Sequence, residues 1–306
     1  MGGGGGGRYT GPSTQDIQRK IEQAQKQERQ RLDVDVNEML QTLLARFNDR
    51  DTETREKGLS EIRNILGEAV EIDNILLGGS VARHTDISGI SDVDALVILN
   101  RADLAGQSAQ SLLDVFYEML NQGLPQGEVA AVNKGRLAVT VKYRDGSEIQ
   151  LLPALRTGQT ISIAAADGKG WNDTQPKVFH RELTRANDRL NNGLVPAIKL
   201  MKSIVSDFPT QKQLTGYHSE AIALEAASGY RGANTPKALL IHLLDYAANR
   251  VLRPIVDSTG QSRTVDSYLG HADSLERRNI SQALEGMKRR LEAATTVAQW
   301  RAVFGE

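Results

Sequence analysis

Two short polar motifs, each joined to an apolar segment, constrain the fold of this chain more than any other feature. The run Gly78–Ser80 (GGS) follows the segment 72–77 (IDNILL), which predicts a strand leading into a glycine turn. The run Asp92–Asp94 (DVD) begins twelve residues after Ser80 and opens the segment 94–99 (DALVIL). That segment is apolar after its first residue, which predicts a strand buried on both faces. Each motif is therefore tied to a strand, at the edge of a small mixed sheet.

The chemistry of the two motifs is complementary. Consecutive glycines allow the backbone to approach a ligand closely, and the N–H groups of such a turn suit phosphate oxygens. Ser80 adds a hydroxyl donor, while Asp92 and Asp94 lie two apart on a strand and so point to the same face. Mg²⁺ prefers a few carboxylates together with substrate phosphates, so the pair predicts a Mg²⁺ site, with Mn²⁺ as the alternative. Two such ions about 3.5–4 Å apart would stabilise the attacking and leaving oxygens of a displacement at phosphorus.

Each motif alone has an ordinary structural explanation. A GGS run is a loop in most proteins, and a lone DxD is usually a solvated turn, so only their combination with two strands favours a functional site. The pattern is neither a dinucleotide-binding GxGxxG nor a Walker A loop, because it lacks the third glycine of the first and the glycine-lysine pair of the second.

The composition excludes several other classes of site and partner. The chain has no cysteine, which excludes disulfides, thiolate zinc sites and a cysteine nucleophile and agrees with a cytoplasmic location. Its net charge of −1 lacks the basic excess of proteins that grip long nucleic acid, so small nucleotides are the expected substrates. No apolar run reaches the roughly 18–20 residues of a membrane span. The five histidines fit no zinc motif.

The hydrophobic pattern divides the 306 residues into three parts. Residues 1–12, with six glycines after Met1, are expected to form a flexible leader, natural or engineered; 13–175 form a lobe of helices and strands; 176–306 form an all-helical lobe. Helices are predicted over 13–32, 36–47, 108–122, 180–206, 217–228, 234–250 and 275–294, and a further helix, with apolar residues at 59, 62, 65 and 66, is predicted to start after Asp51-Thr52. Strands are predicted over 72–77, 94–99, 129–133, 137–143 and 148–152, the last ended by Pro153 after a hairpin turn at Asp145-Gly146.

The stretches Leu77–Thr85 (LGGSVARHT) and Gly89–Leu96 (GISDVDAL) resemble the motif of the DNA polymerase β-type nucleotidyltransferases. The whole chain is similar to the cGAS/DncV-like nucleotidyltransferases (CD-NTases), the cyclic-oligonucleotide synthases of bacterial CBASS anti-phage operons. The later stretches that carry this narrower resemblance are Asn48–Asp51, Glu148–Ala154, the helix with Lys199, and the segment from Val265–Leu269 to Trp300 and Phe304. The resemblance implies an α+β fold, in which a polymerase β-like mixed-sheet lobe, preceded by helices, is followed by a helical lobe closing a nucleotide cleft.

The resemblance also implies roles for individual residues. Ser80, with Gly78 and Gly79, would hold the donor triphosphate, and Asp92 and Asp94 would be the catalytic carboxylates that bind both Mg²⁺ ions. The further nucleotide-binding candidates are Lys199, matching a lysine that contacts donor phosphates, and Tyr217 and Ser219 at a helix start facing the same phosphates. Asn187 is a candidate by its position on a predicted helix and not by the resemblance, and it is expected to face the nucleobase. The structural alternatives are a solvated helix face for Lys199 and core packing for Tyr217.

A second group of residues on the helix of Asn187 has two interpretations. Arg181, Arg185 and Arg189 recur every four residues on one helical face, opposite Asn187. Such a row is either a face that contacts phosphates or nucleic acid or, more commonly, a solvated one.

The chain departs from the family pattern at one catalytic position. Where the superfamily has a third acidic residue, this sequence has Gln150, which carries no charge and cannot act as a general base. Glu148 lies two residues earlier on the same strand, so both side chains face the same way. One hypothesis is that Glu148 takes part of the missing role; another is that Gln150 orients the acceptor while Mg²⁺ alone acidifies it. A third interpretation makes Glu148 only a strand-end charge.

The function implied by the resemblance is a Mg²⁺-dependent transfer with two ions per site. Nucleoside triphosphates, ATP among them, would be joined into a cyclic di- or trinucleotide second messenger with release of pyrophosphate. The implied partners are a downstream effector that binds the product and an operon-encoded regulator, with no membrane and no strong indication of nucleic acid. The alternatives are a nucleotidyltransferase acting on RNA or tRNA ends or on a protein, and a catalytically impaired module that binds nucleotides for regulation.

Overall fold

The structure is a computed structural model that describes residues 13–49, 52–88, 92–100, 108–158, 160–165, 170–259 and 263–306. The expected leader, 1–12, lies outside the described residues, as do residues 50–51 and 89–91 of the stretches that carry the family resemblance. Among the described residues, no helix combines the length and apolarity needed to cross a lipid bilayer.

Two helices precede the sheet. Helix α1 (Thr14–Phe47) is continuous where the pattern predicted separate helices over 13–32 and 36–47. It begins at the capping box that Ser13 forms with Asp16, as its sequence predicts. Residues 13–31 are all exposed, while the second half of the helix buries one apolar face. Helix α2 covers Thr52–Gly67.

A seven-stranded mixed sheet forms the centre of the first lobe. Its strands are β1 (Ile72–Leu77), β2 (Val93–Asn100), β3 (Val129–Lys134), β4 (Val139–Tyr143), β5 (Glu148–Thr157), β6 (Thr160–Ala164) and β7 (Trp171–Thr174). Their order is β1-β2-β5-β4-β3, with β6 pairing β5 and β7; β2 and β5 run parallel and the other pairs are antiparallel. The short helix α3 (Gly79–Ala82) follows β1, and α4 (Ala109–Gly123) packs on the sheet. The sequence pattern did not indicate β6 and β7.

Strand β5 continues through Pro153, so the prediction that this proline ends the strand is wrong. Proline has no N–H to donate to a neighbouring strand, so it fits an interior strand only where that side of the backbone has no partner. On one side, β4 pairs with residues 148–151, and β6 begins to pair at Ala154. Pro153 therefore lies in the gap between two partner strands, while β2 pairs with β5 along its other side.

The second lobe is helical in the described part of the chain. Its helices are α5 (Pro176–Arg189), α6 (Leu194–Ser206), α7 (Gly216–Ala227), α8 (Pro236–Arg250), α9 (Leu275–Ala293) and α10 (Val297–Arg301), with 3₁₀ turns at Thr210–Lys212, Ser267–Leu269 and Ala302–Phe304. The single helix predicted over 180–206 is therefore two helices. The break lies at Asn191 and Asn192, which both have positive φ, a conformation that asparagine tolerates better than most residues.

The apolar core is divided between the sheet and the helices. The sheet buries its main apolar face against α2 and α4, with Ile62, Phe116 and Leu151 fully buried. The second core includes α5 to α9 and also the latter half of α1, through Val36, Met39, Leu40, Leu43 and Leu44. A division of the chain at residue 175 therefore separates α1 from the helices against which it packs. The α+β architecture predicted from the sequence, a mixed-sheet lobe preceded and followed by helices, is confirmed.

Candidate active site

The glycine turn after β1 is fastened to the strand that carries the carboxylates. The Gly78 N–H donates to the Asp94 carbonyl oxygen at 2.7 Å, so the turn lies against the start of β2. Gly79 has a φ of +52°, and a Cβ there would lie 1.7 Å from Asp94 Oδ2. Both the backbone conformation and the close approach of the carboxylate require glycine at this position. Ser80 follows in the first turn of α3 and faces the same space.

The two carboxylates and the glutamine at the third acidic position meet across the parallel strands β2 and β5. Asp94 lies opposite Gln150 in the register of these strands. The Gln150 Nε2 donates to Asp92 Oδ2 at 3.1 Å, so the amide side chain contacts the first carboxylate directly. The structure thus brings together the three positions that the sequence pattern assigned to one site.

The electrostatic environment of Asp92 and Asp94 favours a bound cation. Burial raises the pKa of the Asp92 carboxyl, and the negative charge of Glu148 adds to that effect. Burial also raises the pKa of the Asp94 carboxyl, an effect that Arg83 opposes and Asp92 reinforces. Since both shifts reflect the cost of holding nearby negative charges in a partly buried place, a divalent cation would relieve it. The donor set of two carboxylates and an amide therefore fits Mg²⁺ or Mn²⁺.

Glu148 lies at the start of β5 and is engaged in an ion pair. Its Oε1 is 2.5 Å from Lys142 Nζ, on the neighbouring strand β4. This contact satisfies the carboxylate and supplies the structural explanation that the sequence left open, that of a charge at a strand end. The negative charge of Glu148 is nevertheless close enough to raise the pKa of the Asp92 carboxyl.

A cleft of about 570 Å³ between the lobes contains the site. That volume lies within the range of small-molecule sites, which is roughly 300–1,000 Å³. Seven of the predicted residues line it: Gly78, Gly79, Ser80, Asp92, Asp94, Tyr217 and Ser219. The opposite wall includes Lys202, Gln213 and Glu220 from the helical lobe. The structure therefore places residues that are far apart in sequence around one space.

Tyr217 and Ser219 occupy the first turns of α7, on the cleft wall. The Tyr217 hydroxyl donates to Asp257 at 2.8 Å, and its ring lies under the guanidinium of Arg83, 5.6 Å from the centroid. The Ser219 hydroxyl is buried and has no hydrogen-bond partner among the described residues. A buried hydroxyl without a partner at a cleft wall suits a polar ligand, because such groups are normally satisfied.

Lys199 and Asn187 lie outside the residues that line this cleft. Lys199 is buried on α6, where its Nζ donates to Asn48 Oδ1 at 2.6 Å beside a separate cavity of about 330 Å³. Asn187 binds the turn between α5 and α6, because its Oδ1 accepts the Val195 N–H at 2.9 Å. Lys202, one helical turn after Lys199, is the α6 lysine that reaches the cleft. The Lys199 assignment came from the resemblance and the Asn187 assignment from its position on a helix. Only the packing of α6 determines which of its two lysines faces the cleft.

A cluster of buried charges beside the phosphate turn was not indicated by the sequence pattern. Glu220 Oε2 accepts from Arg83 Nε at 2.5 Å, and Glu220 Oε1 accepts from Lys202 Nζ at 2.6 Å. Arg83 lies in the stretch Leu77–Thr85 and Glu220 directly follows the candidate Ser219, but nothing in their spacing shows that they meet. Among the described residues, no group of three or more His, Cys, Asp or Glu side chains is arranged to hold a metal, in agreement with the uncharged Gln150.

Comparisons with known proteins agree with this geometry. A family model described as the Second Messenger Oligonucleotide or Dinucleotide Synthetase domain matches residues 30–187, more than half of the chain. No curated protein matches the sequence significantly.

Solved structures with the same fold include three bacterial enzymes. Escherichia coli MS115-1 CdnC, solved with ATP, is 16% identical with a TM-score of 0.62, and the match covers 83% of this chain and 90% of that one. Bradyrhizobium diazoefficiens CdnG, a CD-NTase solved with GTP, is 17% identical with a TM-score of 0.59, over 83% and 88%. Vibrio cholerae DncV, a cyclic AMP-GMP synthase, is 13% identical with a TM-score of 0.59, over 96% and 91%. At these identities the likeness establishes the fold.

Proposed function

We propose, from the premise that this chain belongs to the Second Messenger Oligonucleotide or Dinucleotide Synthetase family, that it joins nucleoside triphosphates into a cyclic di- or trinucleotide. The observation that carries the proposal is the meeting of Asp92 and Asp94 with the turn Gly78–Ser80 inside the cleft between the lobes. The reaction is attack of a ribose hydroxyl on the α-phosphate of a second nucleotide, with pyrophosphate as the leaving group. A repeated transfer closes the ring.

Different residues of the cleft bind the metal ion, bind the donor triphosphate and neutralise its charge. Asp92 and Asp94 would hold Mg²⁺ or Mn²⁺, which when bound neutralises phosphate charge and acidifies the attacking hydroxyl. The backbone N–H groups and hydroxyl of the turn bind the donor triphosphate. Lys202 supplies a cation on the opposite wall, a role for which its position makes it a better candidate than Lys199. Catalysis then rests on positioning and on electrostatic stabilisation.

We assign Gln150 a positioning role. Its amide nitrogen is committed to Asp92, so it fixes the orientation of that carboxylate and leaves only its oxygen available to a cation or an acceptor hydroxyl. Glu148 is held by Lys142 and acts on the site through its charge. Glu148→Gln is therefore expected to retain turnover within a few-fold of the wild type. The charge of Glu148 acts on the site only through space, and solvent and salt weaken such an interaction. A loss of product formation as large as that in Asp94→Ala would instead make Glu148 a general base.

The proposed activity is tested by incubating the chain with labelled ATP, GTP, CTP and UTP, singly and mixed, with Mg²⁺ or Mn²⁺. A phosphatase-resistant product that disappears in Asp92→Ala/Asp94→Ala supports cyclisation. A phosphatase-sensitive ladder would favour a linear transferase acting on RNA or tRNA ends, and label retained on protein would favour a protein nucleotidyltransferase.

A second candidate function follows from Gln150. A site without its third carboxylate suits a regulatory module that binds nucleotides without turning them over. Tight nucleotide binding with no product under either metal would support this function and remove the synthase proposal. The retention of Ser80, Asp92 and Asp94 favours the synthase.

The biological setting we propose is anti-phage defence of the CBASS type in the bacterial cytoplasm. There the product would activate a downstream effector, and an operon-encoded regulator would control synthesis. The support for triphosphate substrates is that the related structures were solved with ATP or GTP bound.

A further inference from the structure

Glu220 is a fully buried carboxylate that connects three separate elements at the wall of the cleft. From α7 it accepts a hydrogen bond from Arg83 Nε at 2.5 Å, in the segment after α3, and from Lys202 Nζ at 2.6 Å, on α6. The hydroxyl of Thr85 also donates to the carboxylate. The interaction of Glu220 therefore spans both lobes, joining the phosphate turn to the helices opposite.

The contacts of Glu220 determine where its two cationic partners can lie. A buried ion costs several kcal/mol unless it is paired and fully hydrogen-bonded, so the carboxylate strongly favours arrangements that keep both partners in place. Burial raises the pKa of the Glu220 carboxyl, but Lys202 and Arg83 together outweigh it and hold the pKa below its usual range. The carboxylate is thus ionised, and Lys202 Nζ is further fixed by the Thr85 carbonyl oxygen at 3.2 Å.

Both cations face the space that the triphosphate would occupy. Arg83 and Lys202 line the cleft together with Ser80, and only 12% of the Arg83 side chain and 8% of the Lys202 side chain are exposed. The Arg83 guanidinium also lies over the rings of Phe179 and Tyr217, at 5.4 and 5.6 Å from their centroids, which restricts its rotation. A carboxylate behind two restricted cations suits a device that presents them to an anion.

We propose that Glu220 is a positioning residue that fixes Lys202 and Arg83 against the donor triphosphate, an inference that rests on the proposed function. The alternative is that Glu220 only neutralises the pair. These two roles predict opposite signs when the charge of Glu220 is removed. Two unopposed cations would bind a polyanion more tightly by electrostatics alone, whereas misplaced cations would bind it more weakly.

The test is Glu220→Gln, which keeps the size of the side chain and removes its charge. The matched control is Glu225→Gln on the same helix, because Glu225 pairs with Arg250 and does not line the cleft. Dissociation constants are measured by calorimetry for tripolyphosphate, ATP, GTP, AMP and GMP on the full chain. We expect the affinity of Glu220→Gln for tripolyphosphate and the triphosphates to fall roughly tenfold or more, with monophosphate affinity nearly unchanged, and no change in Glu225→Gln.

Unchanged or tighter triphosphate binding in a folded Glu220→Gln variant would overturn the inference. The kinetic counterpart is a rise in KM for the donor larger than any fall in kcat. In a Lys202→Met background, Glu220→Gln should lose much of its effect on triphosphate binding, because the two residues act as a unit. If the wild type binds triphosphates more tightly than Glu220→Gln but forms no product, the synthase proposal fails while the positioning role of Glu220 stands.

Circular dichroism and thermal melting establish whether Glu220→Gln is folded. If it is not, Thr85→Val provides the second test, because it keeps both ion pairs and removes the hydroxyl that donates to the carboxylate. The same hydroxyl also makes two longer contacts of 3.4 Å, with Lys202 Nζ and with the Ser80 carbonyl oxygen. We then expect a smaller loss of triphosphate affinity, of about two- to fivefold, in the same direction. No loss in Thr85→Val would overturn the inference in that case.

Discussion

Gly79 combines a backbone requirement with a steric one at a single residue. Its φ of +52° would be strained for a residue with a side chain, and a Cβ at this position would overlap Asp94 Oδ2. Gly146, at the β4–β5 hairpin, has a φ of +91° but open space where a Cβ would lie. The two glycines therefore separate the cost of backbone strain from the cost of displacing the carboxylate.

We predict that Gly79→Ala reduces nucleotidyl transfer by about a hundredfold or more, because a displaced Asp94 misplaces the reacting groups. Gly146→Ala, which adds backbone strain alone, should lower the free energy of unfolding by about 1 kcal/mol and leave the rate within a few-fold of the wild type. Initial rates and thermal melting of the two variants test this. Equal losses of rate would mean that strain, rather than the position of Asp94, limits activity.

His218 is a fully buried histidine on α7, directly before Ser219. Its Nδ1 lies 3.0 Å from the Tyr268 hydroxyl, and its Nε2 lies 3.5 Å from Asp266 Oδ2, a carboxylate already paired with Arg277. Burial lowers the pKa of His218 to about 4; Asp266 opposes this effect, and Arg277 and Arg250 reinforce it. The folded chain therefore keeps the ring neutral at a pH where the unfolded chain protonates it.

The sign of the pH dependence follows from these two states. The unfolded histidine takes up a proton as the pH falls below about 6.5, and the folded one does not until about pH 4. The free energy of unfolding should therefore fall between pH 6.5 and 4 and be unaffected by this residue above that window. Urea unfolding across pH 4.5–7.5 should show a weaker dependence in His218→Gln than in His271→Gln, a substitution at an exposed histidine. Equal slopes would remove His218 as a cause.

At the scale of elements, the parallel pairing of β2 with β5 decides which residue completes the site. The register sets Gln150 opposite Asp94, and its amide contacts Asp92. A carboxylate at this position would meet two others in a partly buried place, where like charges repel in the absence of a cation.

We predict that Gln150→Glu lowers the melting temperature of the metal-free chain by a few degrees, since 1 kcal/mol corresponds to roughly 2–4 °C in larger domains. It should enlarge the stabilisation by Mg²⁺ and lower the Mg²⁺ concentration for half-maximal activity several-fold, because the third carboxylate adds a charged ligand. Gln150→Met, similar in size and uncharged, should show neither gain. Thermal melts and Mg²⁺ titrations of activity measure both effects, and an unaltered metal dependence in Gln150→Glu would place residue 150 outside the metal site.

At the scale of the whole molecule, α1 belongs to the helical core by its second half alone. Residues 13–31 are exposed, while Val36, Leu40 and Leu43 are buried among the helices of the second lobe. The second half of the helix therefore belongs to the core, whereas residues 13–31 are exposed to solvent.

We predict that removal of residues 1–30 shifts the melting temperature by no more than about 2 °C and preserves activity, because residues 13–30 are exposed and exposed residues contribute little to stability. Removal of residues 1–44 should prevent stable folding, since truncating each buried leucine costs about 2–5 kcal/mol. Thermal melting of the two truncations decides between these outcomes. A large fall in the melting temperature of the shorter truncation would contradict the prediction that residues 1–30 contribute little to stability.

Local patterns in the sequence determined much of the architecture. The strand Val139–Tyr143, the capping box at Ser13 and the hairpin at Asp145-Gly146 follow from alternation, capping and turn chemistry, which act over a few residues. The same is true of Asp92, directly before β2, and Asp94, because residues two apart in extended backbone share a face whatever surrounds them. These predictions needed no information about distant parts of the chain.

The tertiary structure decided what depends on distant partners. Pro153 remains inside β5 because the gap between β4 and β6 faces it, and Lys202 rather than Lys199 reaches the cleft because of how α6 packs. Glu220 meets Arg83 across 137 positions of sequence. Sequence periodicity fixes which residues share a face of one element, whereas long-range packing alone fixes which faces meet. The motifs therefore predicted the chemistry of the site from the sequence, and the fold determined which charged residues surround it.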